Sequence, residues 1–121
     1  MNKQYDLEDR TLDFAKRVRE FVRKIPRTIS NIEDGKQVIR SSGSVGANYI
    51  EANEALSKKD KCFRVKISRK EAKESKYWLV LINTANNKLL EQERRELVQE
   101  AQELQNILST ILINLESKKK E

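Results

Sequence analysis

Apolar residues return every three or four positions along nearly the whole chain, and this period predicts four helices. In the first, Phe14, Val18, Phe21, Val22 and Ile25 share one stripe, so a helix is expected over about 7–25. Asp6 suits its N-cap, acids follow in the first turn, and Pro26 disfavours helical backbone at Ile25 and ends the run. A second helix is expected over about 31–56. Its middle, Ser41-Ser42-Gly43-Ser44-Val45-Gly46, has the composition of a loop. Yet Ile32, Gly35, Ile39, Ser42, Val45, Tyr49, Ala52 and Leu56 keep spacings of three and four across it. The period outweighs the composition, giving one helix with a small-residue waist where a kink is tolerated. A helical glycine costs about 1 kcal/mol against alanine, and close approach of a neighbouring helix is the expected compensation.

A third helix is expected over about 58–82, opened by Ser57 with Asp60 three residues on, a variant of the capping box. Phe63, Ile67, Trp78 and Ile82 mark its expected inner face. Val65 and Ala72 fall roughly opposite, which predicts contact on two sides and favours an oligomer interface. Thr84 to Leu90 reads as a loop with Asn86-Asn87 as its turn. A fourth helix follows over about 91–116, where Leu97, Ala101, Leu104, Leu108, Ile111 and Leu115 alternate four and three as in a coiled coil. Lys118 to Lys120 form a basic end that complements the helix dipole. Four helices with short connections make antiparallel neighbours. The expected fold is therefore all-α: one antiparallel up-and-down four-helix bundle domain over 1–121. With 121 residues the core is modest, and self-association would enlarge it.

Charge sharpens this picture. The chain carries a net +6, and the excess sits in one segment. Residues 57–76 hold nine Lys/Arg against three Asp/Glu, while the flanking stretches are nearly balanced. A concentrated positive field attracts polyanions; the competing reading is a solvated, lysine-rich helix face. Lys58, Arg69 and Lys76 are expected opposite the core stripe, with Lys61 and Lys73 beside them. Together with Arg64 they are the candidate phosphate contacts. No interleaved aromatic platform for bases, helix-turn-helix or zinc module is apparent, so binding would be led by charge and shape.

Several function classes fall away. There is no histidine, the commonest general base and metal ligand. Cys62 is the sole cysteine, which rules out an intrachain disulfide and suits the cytoplasm. No signal peptide and no membrane span are evident, since charge interrupts every apolar run. The Ser-Gly-Ser-x-Gly segment at 42–46 lacks the Gly-Lys-Ser/Thr of a phosphate loop. Tyr77, Trp78 and Tyr49 are expected to pack in the core or an interface.

Polar residues on faces expected to be buried carry the remaining signal. Glu71 and Glu74 share the stripe of Phe63, Ile67 and Trp78; Arg40, Ser44, Ala47, Asn48 and Glu51 share a stripe of the second helix. Buried carboxylates need partners, and a guanidinium meets them bidentately. The expectation is an interior Arg40–Glu51–Glu71–Glu74 network completed by Asn48 that sets helix register. Arg40→Met should then destabilise the bundle by several kcal/mol. The rival is a metal site: Glu51-x-x-Glu54 and Glu71-x-x-Glu74 resemble the acid pairs of magnesium-dependent all-α nucleotide pyrophosphohydrolases. Against it, Arg40 would neutralise the site, and Glu54 faces away beside Lys58 and Lys59. A di-iron site lacks its histidines. Neither catalytic residues, nor a metal, nor a cofactor is expected.

Two stretches carry a family likeness. Ile39-Arg40-Ser41-Ser42-Gly43-Ser44-Val45-Gly46-Ala47-Asn48-Tyr49-Ile50-Glu51-Ala52 and Lys70-Glu71-Ala72-Lys73-Glu74-Ser75-Lys76-Tyr77-Trp78-Leu79 resemble the central motifs of the bacterial four-helix bundle proteins, also called 23S rRNA intervening-sequence proteins. Asp6-Leu7-Glu8-Asp9-Arg10-Thr11 with Phe14-Ala15 is similar to their first helix. The resemblance covers about residues 5–116, the last helix in pattern only. It carries over motif residues Arg40, Ser44, Val45, Asn48, Glu51, Glu71, Glu74, Trp78 and Leu79; Ser42 departs mildly, where many members have Gly or Thr. The resemblance implies a homopentameric ring encoded within intervening sequences of large-subunit ribosomal RNA genes or elsewhere. It also implies likeness to the basic pentameric accessory protein of diversity-generating retroelements, considered to bind nucleic acid. The leading expectation is thus a non-catalytic, oligomeric RNA- or DNA-binding protein. A protein-interaction scaffold and a nucleotide pyrophosphohydrolase are the alternatives.

Overall fold

Four helices form, each capped locally at its start, and the first is stopped by the proline that follows it. The computed structural model describes residues 6–119, with the side chains of 118 and 119 outside the description; the basic end expected at Lys118 to Lys120 therefore lies outside the described side chains. Helix α1, Leu7–Lys24, is capped by Asp6, whose carboxylate accepts the Asp9 N–H at 2.9 Å. Ile25 is extended ahead of Pro26, as a residue before proline prefers. Helix α2, Ile29–Asn53, begins earlier than the pattern suggested because Thr28 caps it, accepting the Asn31 N–H at 3.1 Å. It runs unbroken through the small-residue waist. It also ends earlier, and Leu56 lies wholly in solvent rather than on the buried stripe.

Helix α3, Lys58–Leu81, is capped by Ser57 accepting the Asp60 N–H at 3.0 Å. Helix α4, Lys88–Lys119, starts three residues before the expected Glu91 because Asn87 accepts the Leu90 N–H at 3.0 Å. The connection before it is sharp: Ala85 and Asn86 both take left-handed backbone, φ 55° and 60°. Asn31 ties this loop to the one at the same end. Its Nδ2 donates to the Pro26 and Asn83 carbonyls at 2.9 and 2.8 Å, and its Oδ1 accepts the Asn83 N–H at 3.0 Å.

Packing runs α1 on α2, α2 on α3, α3 on α4 and α4 back on α1, with α2–α3 the most extensive and α1–α4 the sparsest pair. This is an all-α four-helix bundle, with no diagonal pair among the described residues. Phe14, Val18 and Phe21 of α1 meet Leu97, Ala101, Leu104 and Leu108 of α4 in the fully buried core. The glycines of α2 do bring a helix close, and that helix is α1. A Cβ on Gly46 would sit 2.8 Å from Thr11 Oγ1, and one on Gly35 would sit 3.0 Å from Val22 Cγ1.

Helix α3 is rotated from the expected orientation. Its buried face is Cys62, Val65, Ser68, Glu71, Ala72, Ser75 and Leu79. Phe63 is exposed, Ile67 and Trp78 are half-buried, and of the expected stripe only Ile82 lies in the core. The α2–α3 seam is built from small residues and hydroxyls, which explains the rotation. Ser41 and Ser75 hydroxyls lie 2.8 Å apart, Ser75 donates to the Glu71 carbonyl at 2.9 Å, and Ser68 donates to the Val45 carbonyl at 2.7 Å. A phenyl ring in that seam would hold the helices apart and strand these hydroxyls without partners.

Candidate nucleic-acid interface

The acid seam comes first, because it decides where α3 shows its charge. Arg40 reaches across from α2. Its Nη2 donates to Glu71 Oε1 at 3.1 Å and to Glu74 Oε1 at 3.2 Å, and its Nη1 donates to Glu71 Oε2 at a long 3.5 Å. The cluster is a rim feature rather than an interior one. Arg40 is 51% exposed and Glu74 43%, while Glu71 is 9% exposed. Two expected members stand outside it. Glu51 is exposed, on the side of α2 away from the buried Ala52. Asn48 donates to the Ser44 carbonyl at 3.0 Å and accepts from Arg64 Nη1 at 3.2 Å. Glu54 is exposed at the end of α2. Among the described residues no group of three or more His, Cys, Asp or Glu side chains is gathered to hold a metal ion.

The rotation of α3 also redistributes the candidate phosphate contacts. Lys58 and Lys73 are exposed, whereas Lys61, Arg64, Arg69 and Lys76 are half-buried. Arg64 turns to Asn48 on α2, and Lys76 donates to Gln102 Oε1 on α4 at 2.7 Å. Neither Arg69 nor Lys76 stands opposite the core as expected, since the true inner face lies on the Val65–Ala72–Leu79 side.

The outward face is a different set: Lys59, Phe63, Lys66, Lys70, Lys73 and Tyr77, all exposed. Their spacings of four, three, four, three and four average the helical period, so they form one row along the axis. No acid occupies a position of the row; Glu71 and Glu74 beside it turn to Arg40, with Glu74 still 43% exposed. Phe63 is 57% and Tyr77 59% exposed. Arg64 lies 5.9 Å from the Phe63 ring centroid, and Tyr77 meets Trp78 edge-on at 5.1 Å. Trp78 itself is half-buried, and its Nε1 has no hydrogen-bond partner among the described residues. Sequence reasoning missed this row by placing Phe63 in the core. The seven-residue repeat Val65, Ala72, Leu79 was the signal that could have set the rotation.

Elsewhere, ion pairs tie α1 to α4. Arg10 of α1 pairs with Glu100 and Glu103 of α4 at 2.8 and 2.7 Å, and Lys24 pairs with Glu93 at 2.8 Å. Glu100, followed by Glu103, holds the Arg10 guanidinium protonated well above its ordinary range. Hydrogen bonds from Gln99 and then Arg10 keep the Glu103 carboxyl below the usual carboxylate value, and Arg94 does the same for Glu91. On α3, Lys66 makes a loose 3.8 Å pair with Glu116, both half-exposed. Such a pair contributes little. Cys62 is a free, buried thiol.

The comparisons with known proteins agree with this fold. The sequence model described as 23S rRNA-intervening sequence protein matches residues 3–110. A solved structure from Bacteroides thetaiotaomicron, described as a protein with unknown function from the S23 ribosomal protein family, is similar at 29% identity and a TM-score of 0.72. The similarity covers 87% of this chain and 96% of that one. No curated protein matches. Among the described residues no helix is long and apolar enough to cross a membrane.

Proposed function

We propose that this chain, which belongs to the 23S rRNA-intervening sequence protein family, is a non-catalytic protein that binds nucleic acid through the outer face of α3. One observation carries the reading: four exposed lysines, Lys59, Lys66, Lys70 and Lys73, align on one face with no acid among them. Lysines held this way neutralise phosphates and release counterions. Two acids of the same helix, Glu71 and Glu74, are clasped by Arg40 on the α2 side, and Glu116 meets Lys66 only loosely at 3.8 Å. The family's association with ribosomal RNA supports the same partner class. The protein acts in the cytoplasm as a homo-oligomer, a pentamer by likeness to its family, which would multiply the face and its affinity.

The scaffold reading draws on exposed apolar residues between α1 and α2, where Leu12 is 53% and Ile50 46% exposed. That surface suits a second copy of the chain and is compatible with nucleic-acid binding elsewhere. The hydrolase reading is weakened by Arg40, whose guanidinium hydrogen-bonds both oxygens of Glu71 and one of Glu74 and puts a positive charge where a divalent cation would sit.

The test is a salt titration of affinity for RNA and DNA. Affinity should fall steeply with salt. Replacing Lys66, Lys70 and Lys73 by Gln should lessen the log–log slope by about 2, since each phosphate left unneutralised on a single strand removes about 0.7. No binding to either polymer at low ionic strength overturns the reading. Magnesium-dependent release of pyrophosphate from nucleotides would restore the hydrolase.

A further inference from the structure

Resting on that nucleic-acid reading, we infer that the partner of α3 is an unpaired strand, with Phe63 and Tyr77 as stacking platforms at the two ends of the lysine row. Three observations point there. First, the rings flank a run of cations: Phe63 and Tyr77 bracket Lys66, Lys70 and Lys73, with Lys59 beyond Phe63. Aromatic faces beside a cationic track are the pattern that holds single strands, because every base has a face to stack. Second, both rings are exposed by more than half although the bundle has a core to receive them. Third, lysine is the one side chain of the row that can read base edges in a duplex groove; Arg, Asn and Gln are missing from it. Arg64 and Arg69, the arginines of α3, are both half-buried beside the row rather than in it.

A duplex keeps its base faces stacked internally, so it could use the lysines and leave both rings without a role. An unpaired strand uses all six residues. The rings are fourteen residues apart, about 21 Å along the helix. At roughly 3.4 Å per stacked nucleotide this spans about six nucleotides. The central lysines lie between, where the phosphates of such a segment would pass. Arg64 covers one side of the Phe63 ring and adds its charge to a base stacked on the other.

The experiment compares an unstructured RNA strand with the same strand annealed to its complement, using the full chain and its Phe63→Leu, Tyr77→Leu and double variants. Leucine keeps an apolar side chain and removes the ring, and at exposed positions the fold, checked by circular dichroism, should persist. The single strand should bind more tightly than the duplex. Each ring loss should weaken strand binding about tenfold and both about a hundredfold, with the salt slope unchanged. Trp78, the sole tryptophan, touches Tyr77, and its fluorescence should change saturably with the strand and far less in Tyr77→Leu. Equal affinity for strand and duplex, with ring variants unaffected, overturns this inference and leaves the nucleic-acid reading standing. No binding by either form overturns both. Ring variants that keep strand affinity but lower the sedimenting mass overturn it too, making the rings an interface between copies.

Discussion

Replacing Arg40 by Met measures how much the α2–α3 rim cluster contributes, and the structure sets the size. Glu71 is 9% exposed, and Arg40 is the only described side chain hydrogen-bonded to its carboxylate. Stranding one member of a fully buried pair costs about 3–5 kcal/mol, whereas an exposed pair contributes roughly 0.2–1 kcal/mol. This pair lies between those limits: the acid is buried, but its partner is 51% exposed, so water can approach from that side. One of the two hydrogen bonds is also long, at 3.5 Å. The expected loss is about 2 kcal/mol, smaller than an interior network would give, or a fall in Tm of roughly 8 °C for a chain of this length. Glu74 is well solvated, and Glu74→Gln should cost under about 0.5 kcal/mol. Adding Glu71→Leu to Arg40→Met should recover most of the loss, because no charge is then left without its partner. Urea unfolding followed by far-ultraviolet circular dichroism reads all these variants, at one protein concentration because self-association would shift the midpoint. An Arg40→Met midpoint equal to wild type, or no recovery in the double variant, refutes the reasoning.

Two neighbouring glycines should respond with opposite signs to alanine. Gly46→Ala forces a Cβ to 2.8 Å from Thr11 Oγ1, which is anchored to the Glu8 carbonyl at 2.9 Å, so it should destabilise by about 1–3 kcal/mol despite better helix propensity. Gly43→Ala meets only the tip of Arg19, at 3.6 Å, and should stabilise by about 0.5–1 kcal/mol in the same urea assay. Asn31→Leu removes three hydrogen bonds between the Pro26 and Asn83 loops and should cost about 3 kcal/mol by thermal unfolding, with Asn31→Asp not restoring the two donated bonds. The hydrogen bonds that lower the Glu91 and Glu103 carboxyls favour their ionised forms in the folded state. Their contribution is therefore present above the ordinary value of 4.5 and lost as pH falls through the lower folded values. The unfolding midpoint should decline in that acid range, and Glu91→Gln with Glu103→Gln should flatten the decline; an unchanged pH profile would count against those bonds.

Some of the site was legible from charge alone. That Arg40 would seek Glu71 and Glu74 follows from three ionisable groups on helices adjacent in the chain. Their exposure did not follow, because it depends on how far α2 and α3 turn toward each other. The same turn decided the fate of Phe63. Ranked by apolarity it belongs inside, yet Val65, Ser68, Ala72 and Ser75 occupy the seam because small side chains allow closer approach. Once they face inward, geometry alone puts Phe63, Lys66, Lys70, Lys73 and Tyr77 outside. Thr28 and Asn87 were missed as caps for a related reason: each lies in a short connection whose path is set by both helices it joins.

What the chain determined by itself is what local interactions decide. The Asp6 and Ser57 caps, the stop at Pro26 and the continuous period through the waist of α2 each act within a few residues, as does the leucine repeat of α4. Tertiary packing alone decided the rotation of α3 about its axis. That helix has two packed neighbours and serines in its seam, so its apolar residues do not define one side. Fit against α2 and α4 settles the choice, and with it the face that the lysines and the two rings present to solvent.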